Sequence, residues 1–142
     1  MLRSFAISAS GMTAERLRMD IIANNLANAN TTRTAEGGPY RRQVPVFAPR
    51  EMSRSLARRS GVAFTGMGVR VVGIYEDDAP PRLVYDPQHP DADENGYVQM
   101  PNVDVVREMV DLISASRAYE ANITAFNTAK SMAMRALDIG RA

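Results

Sequence analysis

Few side chains in this sequence have the type and spacing for covalent chemistry, and each falls short of the pattern its chemistry needs. His89 is the sole histidine. It sits in Gln88-His89-Pro90, with no serine or carboxylate pattern around it that would make a triad, and a general base needs a positioned partner. Asp91-Ala92-Asp93-Glu94-Asn95-Gly96 begins like a calcium loop, including the glycine at the sixth place. Its twelfth place is Asn102 where a bidentate Glu is required, and Pro90 denies it an entering helix. It reads instead as an Asx-rich turn with Gly96 at positive φ. Gly66-Met67-Gly68 holds two glycines of a dinucleotide fingerprint without the third, and no crossover helix follows, so it reads as a turn. Asn30-Thr31-Thr32 and Asn122-Ile123-Thr124 spell glycosylation sequons, but the second lies mid-helix and nothing signals a secretory pathway. With no cysteine there is no disulfide, thiolate metal site or cysteine nucleophile. No enzyme, metal site or cofactor is expected.

A repeat is the stronger signal. Phe5, Met12, Met19 and Leu26 recur every seven residues near one end, and Val105, Leu112, Tyr119, Phe126 and Ala133 do so near the other. Such a repeat marks a helix that seats a seam against another helix. The first helix spans about residues 2–28, with Leu2, Ala9 and Ala23 as a second seam column that Arg16 interrupts. A polar group at such a position fixes register or partner. Gly11 weakens that helix by about 1 kcal/mol against Ala. Asn24, Asn25, Asn28, Asn30, Thr31 and Thr32 offer local side-chain to backbone bonds that compete with helix, so the helix should fray there. The second helix is expected over residues 103–139, with Asn102 as N-cap, Asp104 in the first turn and Gly140 closing it. Its seam reads Val105, Met109, Leu112, Ser116, Tyr119, Ile123, Phe126, Lys130, Ala133 and Leu137, interrupted by Ser116 and Lys130. At 1.5 Å per residue this rod is about 55 Å long, too long for the other helix to cover. Val106, Val110 and Ile113 beside the seam need other molecules.

Between the helices, Glu36-Gly37-Gly38-Pro39 is a turn, and residues 40–47 are strand-like but confined to an edge by Pro45. Residues 69–75 form the best strand. Pro80-Pro81 breaks it, residues 82–85 make a short strand partner, and residues 97–100 one last strand. Arg50, Arg54 and Arg58 lie four apart, opposite Met52 and Leu56. A solvated loop or short helical turn fits them, and so does a docking patch for an acidic neighbour. The fold class is α+β: N- and C-terminal helices pairing as an antiparallel coiled coil around a small β-rich middle. The divisions fall at 1–32, 33–101 (with 48–68 the candidate flexible part) and 102–142.

Bulk composition narrows the function further. The formal charge of +1 lacks the basic excess that nucleic acid or a membrane surface demands. The first residues show no charged region followed by a long apolar run, and no stretch approaches 18 apolar residues. Neither a cleaved signal nor membrane insertion is expected. Lys130 is the only lysine among 17 basic residues. Interface use of arginine and genomic base composition both fit that bias. The nine methionines suit plain helix filling or an interface that adapts to unlike neighbours.

Residues 10–31 (SGMTAERLRMDIIANNLANANT) resemble the N-terminal motif of the bacterial flagellar rod and hook family. Residues 102–110 (NVDVVREMV) and 118–122 (AYEAN) resemble its C-terminal motif. Residues 38–42 and 85–92 look like its proximal-rod branch, and residues 48–68 match nothing in it. The resemblance covers 1–47 and 69–142. It implies a structural subunit that leaves through the flagellar type III export apparatus and polymerises helically into the driveshaft of the basal body. The implied partners are other copies, other rod proteins, the rod–MS-ring adaptor and the MS ring. Terminal helices that pair as an inner layer would form the assembly interface through Phe5, Met12, Arg16, Met19, Asn24, Asn25, Leu26, Asn28, Val105, Met109, Leu112, Tyr119, Ile123, Phe126, Lys130 and Leu137. By the same analogy, residues 24–32 would hold the exit from the inner helix by side-chain amide bonds. A free-standing coiled-coil adaptor and a sibling rod or hook protein are the rival readings.

Overall fold

The computed structural model describes residues 2–51 and 66–140. Helix α1 (Leu2–Ala27) runs through Asn24 and Asn25 without fraying and stops just before Asn28. Both the backbone N–H and the side-chain amide of Asn28 donate to the Asn24 carbonyl, at 3.1 and 2.9 Å. The helix end is thus closed locally, and the Thr31 N–H continues the turn by donating to the Asn28 carbonyl.

Helix α2 (Val105–Ile139) starts two residues later than expected. Its N-cap is Asp104, whose carboxylate accepts from the N–H groups of Val106 and Arg107 at 3.0 and 3.3 Å. Pro101 and Val103 are buried, which holds this approach extended. Asn102 therefore does not cap. Its carboxamide accepts the Arg42 N–H and donates to the carbonyls of Asp77 and Ala79, tying the start of α2 to the middle region. Gly140 follows the helix in right-handed geometry, with φ −77°, not the left-handed turn that glycine usually supplies.

Two antiparallel hairpins make up the middle. Strand β1 (Gln43–Glu51) pairs with β2 (Gly66–Glu76), and β3 (Arg82–Tyr85) pairs with β4 (Tyr97–Met100). Residues 82–85 thus partner residues 97–100 and not the strand before them. A two-stranded sheet has only edges, so Pro45 opposite Ile74 and Pro49 opposite Val69 are tolerated. Arg50 lies in β1, an extended strand and not a helical turn. Met52, Arg54, Leu56 and Arg58 fall outside the described residues.

The helices run antiparallel. Phe5 meets Phe126 edge-to-face at 5.0 Å, Gly11 faces Asn122, Arg18 reaches Asp111, and Asn25 bonds Glu108. Numbers rise along one helix as they fall along the other. Leu2 therefore lies near the level of Ala129, and residues 130–139 run on past α1 by about 15 Å. The core that results is small: Ala14, Ile21, Ile22, Ala29, Val98, Val103 and Ala115 are its buried apolar residues among those described.

Hairpin β1/β2 lies against α1. Gly68 takes φ +99°, and a Cβ there would overlap the Ser10 hydroxyl and press the backbone of Ile7. Ser10 in turn accepts the Val69 N–H at 3.1 Å. The expected turn at Gly66-Met67-Gly68 is strand instead, kept open by glycine so that helix and sheet can touch.

Candidate assembly interface

The seam between α1 and α2 is not centred on the apolar repeat. On α2 the positions turned inward are Glu108, Leu112, Ala115, Tyr119, Asn122, Phe126, Ala129 and Ala133, all buried or half-buried. They alternate by four and three residues, as a coiled-coil seam does. Leu112, Tyr119 and Phe126 hold the expected places. The second column is supplied by Glu108, Ala115, Asn122 and Ala129, one position before Met109, Ser116, Ile123 and Lys130. Ser116 and Ile123 are half-buried on the flank, while Val105, Met109, Lys130 and Leu137 stand exposed.

On α1 the same displacement appears. Phe5 keeps its expected place against Phe126, while Gly11, Arg18 and Asn25 make the other resolved contacts to α2. Phe5 is half-buried, as are Met12, Met19 and Leu26 one position along from those three, and Ala9, Arg16 and Ala23 are exposed. Gly11 has a reason beyond helix propensity: a Cβ there would sit 2.8 Å from the Asn122 side-chain oxygen. Asn122 holds its place by donating to the Ala118 carbonyl at 2.9 Å.

Where α1 ends, a polar node joins both helices to the first hairpin. Glu108 is fully buried, and a buried carboxylate must be paired on both oxygens to be tolerated. Arg42 Nε donates to one oxygen at 2.6 Å and Asn25 Nδ2 to the other at 3.0 Å. Asn25 is buried as well and acts as a substitute strand. Its Nδ2 donates to the Gln43 carbonyl and its Oδ1 accepts the Gln43 N–H, both at 2.9 Å. The Tyr40 hydroxyl adds a second bond to Oδ1 at 2.9 Å, and Asn24 donates to Tyr40 at 3.2 Å. Desolvation, with the Glu76 and Glu108 carboxylates close by, raises the Tyr40 phenol above the ordinary tyrosine value. Arg42 also reaches Asp77 and Asp111, and Arg18 shares Asp111.

The side-chain amide bonds expected of the asparagine stretch are thus present at Asn24, Asn25 and Asn28. Glu108, Arg42, Asn102, Asp111 and Asn122 are the node and seam residues that apolar periodicity passed over. Counting sevens back from Asn122 through Ala115 to Glu108 would have found that column, because a seam can be polar and small.

The second hairpin carries the calcium-like sequence. Asp93 spends one carboxylate oxygen on the N–H groups of Asn95 and Tyr97, at 2.9 and 2.8 Å, and Gly96 has φ +82°. It is an Asx turn. His89 Nδ1 accepts the Asp91 N–H, and Thr32 donates to the Asp91 carboxylate at 2.8 Å. Each of these groups secures loop backbone.

Outside the seam, α2 presents apolar side chains to solvent. Val106, Val110 and Ile113 form one stripe, each more than half exposed. Past the start of α1, Met132, Leu137 and Ile139 are likewise more than half exposed. No described helix is long and apolar enough to cross a membrane.

Long antiparallel terminal helices, an amide-bonded exit from the first and a small β middle define an axial subunit of the flagellar type. The comparisons with known proteins agree. The family model described as "Flagella basal body rod protein" matches residues 5–33, and "Flagellar basal body rod FlgEFG protein C-terminal" matches residues 94–139. Curated relatives named "Flagellar basal-body rod protein FlgC" align nearly end to end. That of Borreliella burgdorferi is 50% identical, covering 96% of this chain and 95% of the relative. That of Bacillus subtilis is 49% identical, covering 97% of each. That of Salmonella typhimurium is 43% identical, covering 99% of this chain and 98% of the relative. The chain belongs to the FlgC family of flagellar basal-body rod proteins. It is a structural rod subunit, and its place is the basal body of the bacterial flagellum.

Proposed function

We infer that the chain works by polymerising helically into the proximal part of the rod, with its paired terminal helices as the inner layer and the hairpins outside. The polymer would transmit torque and enclose the export channel. The subunit acts as a mechanical part, not a catalyst. Its neighbours would be further copies, sibling rod proteins, the rod–MS-ring adaptor and the MS ring, and it would reach them through the flagellar export apparatus.

One observation carries this reading: the apolar stripe of Val106, Val110 and Ile113 and the overhang with Leu137 and Ile139 are left uncovered by the described elements of the chain. Burying one such side chain stabilises by about 1.5–3 kcal/mol, so a few of them together drive association. Lys130, exposed on the same helix, would pair with a neighbour's carboxylate. Each subunit repeating one head-to-tail contact gives an open helix.

The test is to replace the native copy in a flagellated cell with an epitope-tagged chain and purify basal bodies. Tagged chain in the proximal rod, with motility retained, is the expected result. Motile cells whose basal bodies lack the chain would end the proposal.

A further inference from the structure

Between α1 and hairpin β1/β2 lies an open cavity of about 520 Å³. Buried Ala14 and half-buried Leu17, Val69 and Val71 give it an apolar floor, and exposed Arg16, Arg50 and Arg70 ring it. None of the three arginines makes an ion pair among the described residues, and Asp20 is the only acid lining the cavity. Three guanidinium groups without an ion pair among the described residues, set around an apolar floor, suit a carboxylate-bearing peptide segment.

The chain carries such a segment elsewhere. The turn between β3 and β4 holds Asp86, Asp91, Asp93 and Glu94, and residues 83–106 contain no Lys or Arg. Its shape is fixed by the Asp93 turn and by the bond from Thr32 to Asp91. Asp86 and Glu94 remain exposed. That bond places the turn beyond the end of α1, whereas the cavity opens beside residues 10–20. From Arg16 to the helix end alone is about 16 Å along the axis. The two surfaces belong to opposite parts of the long direction, so they suit two copies in a row. The chain's own segment between β1 and β2 offers no alternative carboxylate: residues 52–65 include Arg54, Arg58 and Arg59 and no acid.

We propose that the arginine-ringed cavity of one copy receives the acidic β3–β4 turn of a second copy, making a head-to-tail contact. This rests on the assembly reading above and names one surface through which copies meet. Arg16 then pairs with a neighbour's carboxylate rather than with its own chain. Because the two surfaces differ, the contact is heterologous and propagates instead of closing a two-fold dimer. Charges on such a rim steer and register the contact while salt screens them.

The chain's lack of cysteine makes a direct test available. Arg70→Cys and Glu94→Cys are introduced together into the full-length chain, which replaces the native copy, and purified basal bodies are treated with a short bis-maleimide. A ladder of linked copies that requires both cysteines is expected. Basal bodies that contain the double variant and yield no ladder overturn the contact, as do links formed by either single variant. Absence of even the unsubstituted chain from basal bodies would instead overturn the rod reading.

If the cysteine pair is not incorporated, charge exchange decides. Arg16→Glu with Arg70→Glu, and separately Asp86→Arg with Glu94→Arg, should each reduce swimming at least tenfold, and combining them should restore it. Failure of the combination to restore swimming overturns the proposal.

Discussion

Asn25 on α1 donates to Glu108 on α2 at 3.0 Å, across 83 residues of sequence, and both side chains are buried. The pair orients everything around it. The oxygen of Asn25 is already committed to the Gln43 N–H and the Tyr40 hydroxyl, so its amide can only donate toward Glu108. Arg42 likewise can only donate. Position 108 must therefore accept on both atoms, and of the residues of this size only an ionised Glu does so.

Glu108→Gln tests that requirement. An amide there must set an NH2 against either Arg42 or Asn25, donor against donor, and it leaves Arg42 short of its partner. Unfolding in urea should show a loss of about 3 kcal/mol, the scale for breaking a buried pair from one side. Asp111→Asn, at a carboxylate about one-third exposed, should lose less than about 1 kcal/mol. Equal losses would mean the node is not what holds the helices together.

Gly11 and Asn122 should be energetically coupled. Alanine is intrinsically better in a helix by about 1 kcal/mol. Here its Cβ would press the Asn122 amide, so Gly11→Ala should destabilise in spite of propensity. Asn122→Ala opens the space. The double variant should be more stable than Gly11→Ala alone, and a double-mutant cycle should return a coupling of about 1 kcal/mol or more. Strictly additive effects would contradict the contact.

Tyr40 should make the fold sensitive to alkali. Its phenol is raised by burial and by the carboxylates of Glu76 and Glu108, so the folded state holds the proton more tightly than the unfolded chain does. The stabilisation is then complete below the ordinary tyrosine value, near pH 10, and is lost as pH rises through the higher folded value. Denaturation followed from pH 8 to 11 should show this decline. Tyr40→Phe, stable to a lesser degree at pH 8, should flatten it.

The exposed stripe of α2 should matter to assembly and not to the isolated subunit. Val110→Asp and Ile113→Asp alter side chains more than half exposed, so monomer stability should move by no more than about 0.5 kcal/mol. Incorporation into basal bodies and swimming should be lost. A subunit that unfolds on substitution would show that the stripe is packed within the chain after all.

Much of this architecture could be read from residue order, and the exceptions share one cause. Apolar sevens located both helices, their pairing and the excess length of α2. They placed the seam one residue to the side because its second column is Gly11, Arg18 and Asn25 against Asn122 and Glu108. Hydrophobicity gives no weight to such residues, although glycine admits close approach and a paired carboxylate can be buried. Asn102 looked like a cap because Asn commonly is one. Only the fold shows that Arg42, Asp77 and Ala79 compete for its amide. Hairpin partners escape residue order for a related reason, since pairing in two-stranded sheets is set by what lies beneath the strands. The Ser10 hydroxyl against Gly68 and the Asn25 amide against Gln43 anchor β1 and β2, and neither contact is local in sequence.

Cysteine accessibility at Val110 and Ile139 tests the assembly most directly, since the chain supplies no background thiol. Each position, substituted singly, is reacted with a maleimide in the purified monomer and in purified basal bodies. Fast labelling of the monomer, with at least tenfold protection in the basal body, is expected if neighbouring subunits cover α2. Equal labelling in both states would contradict it.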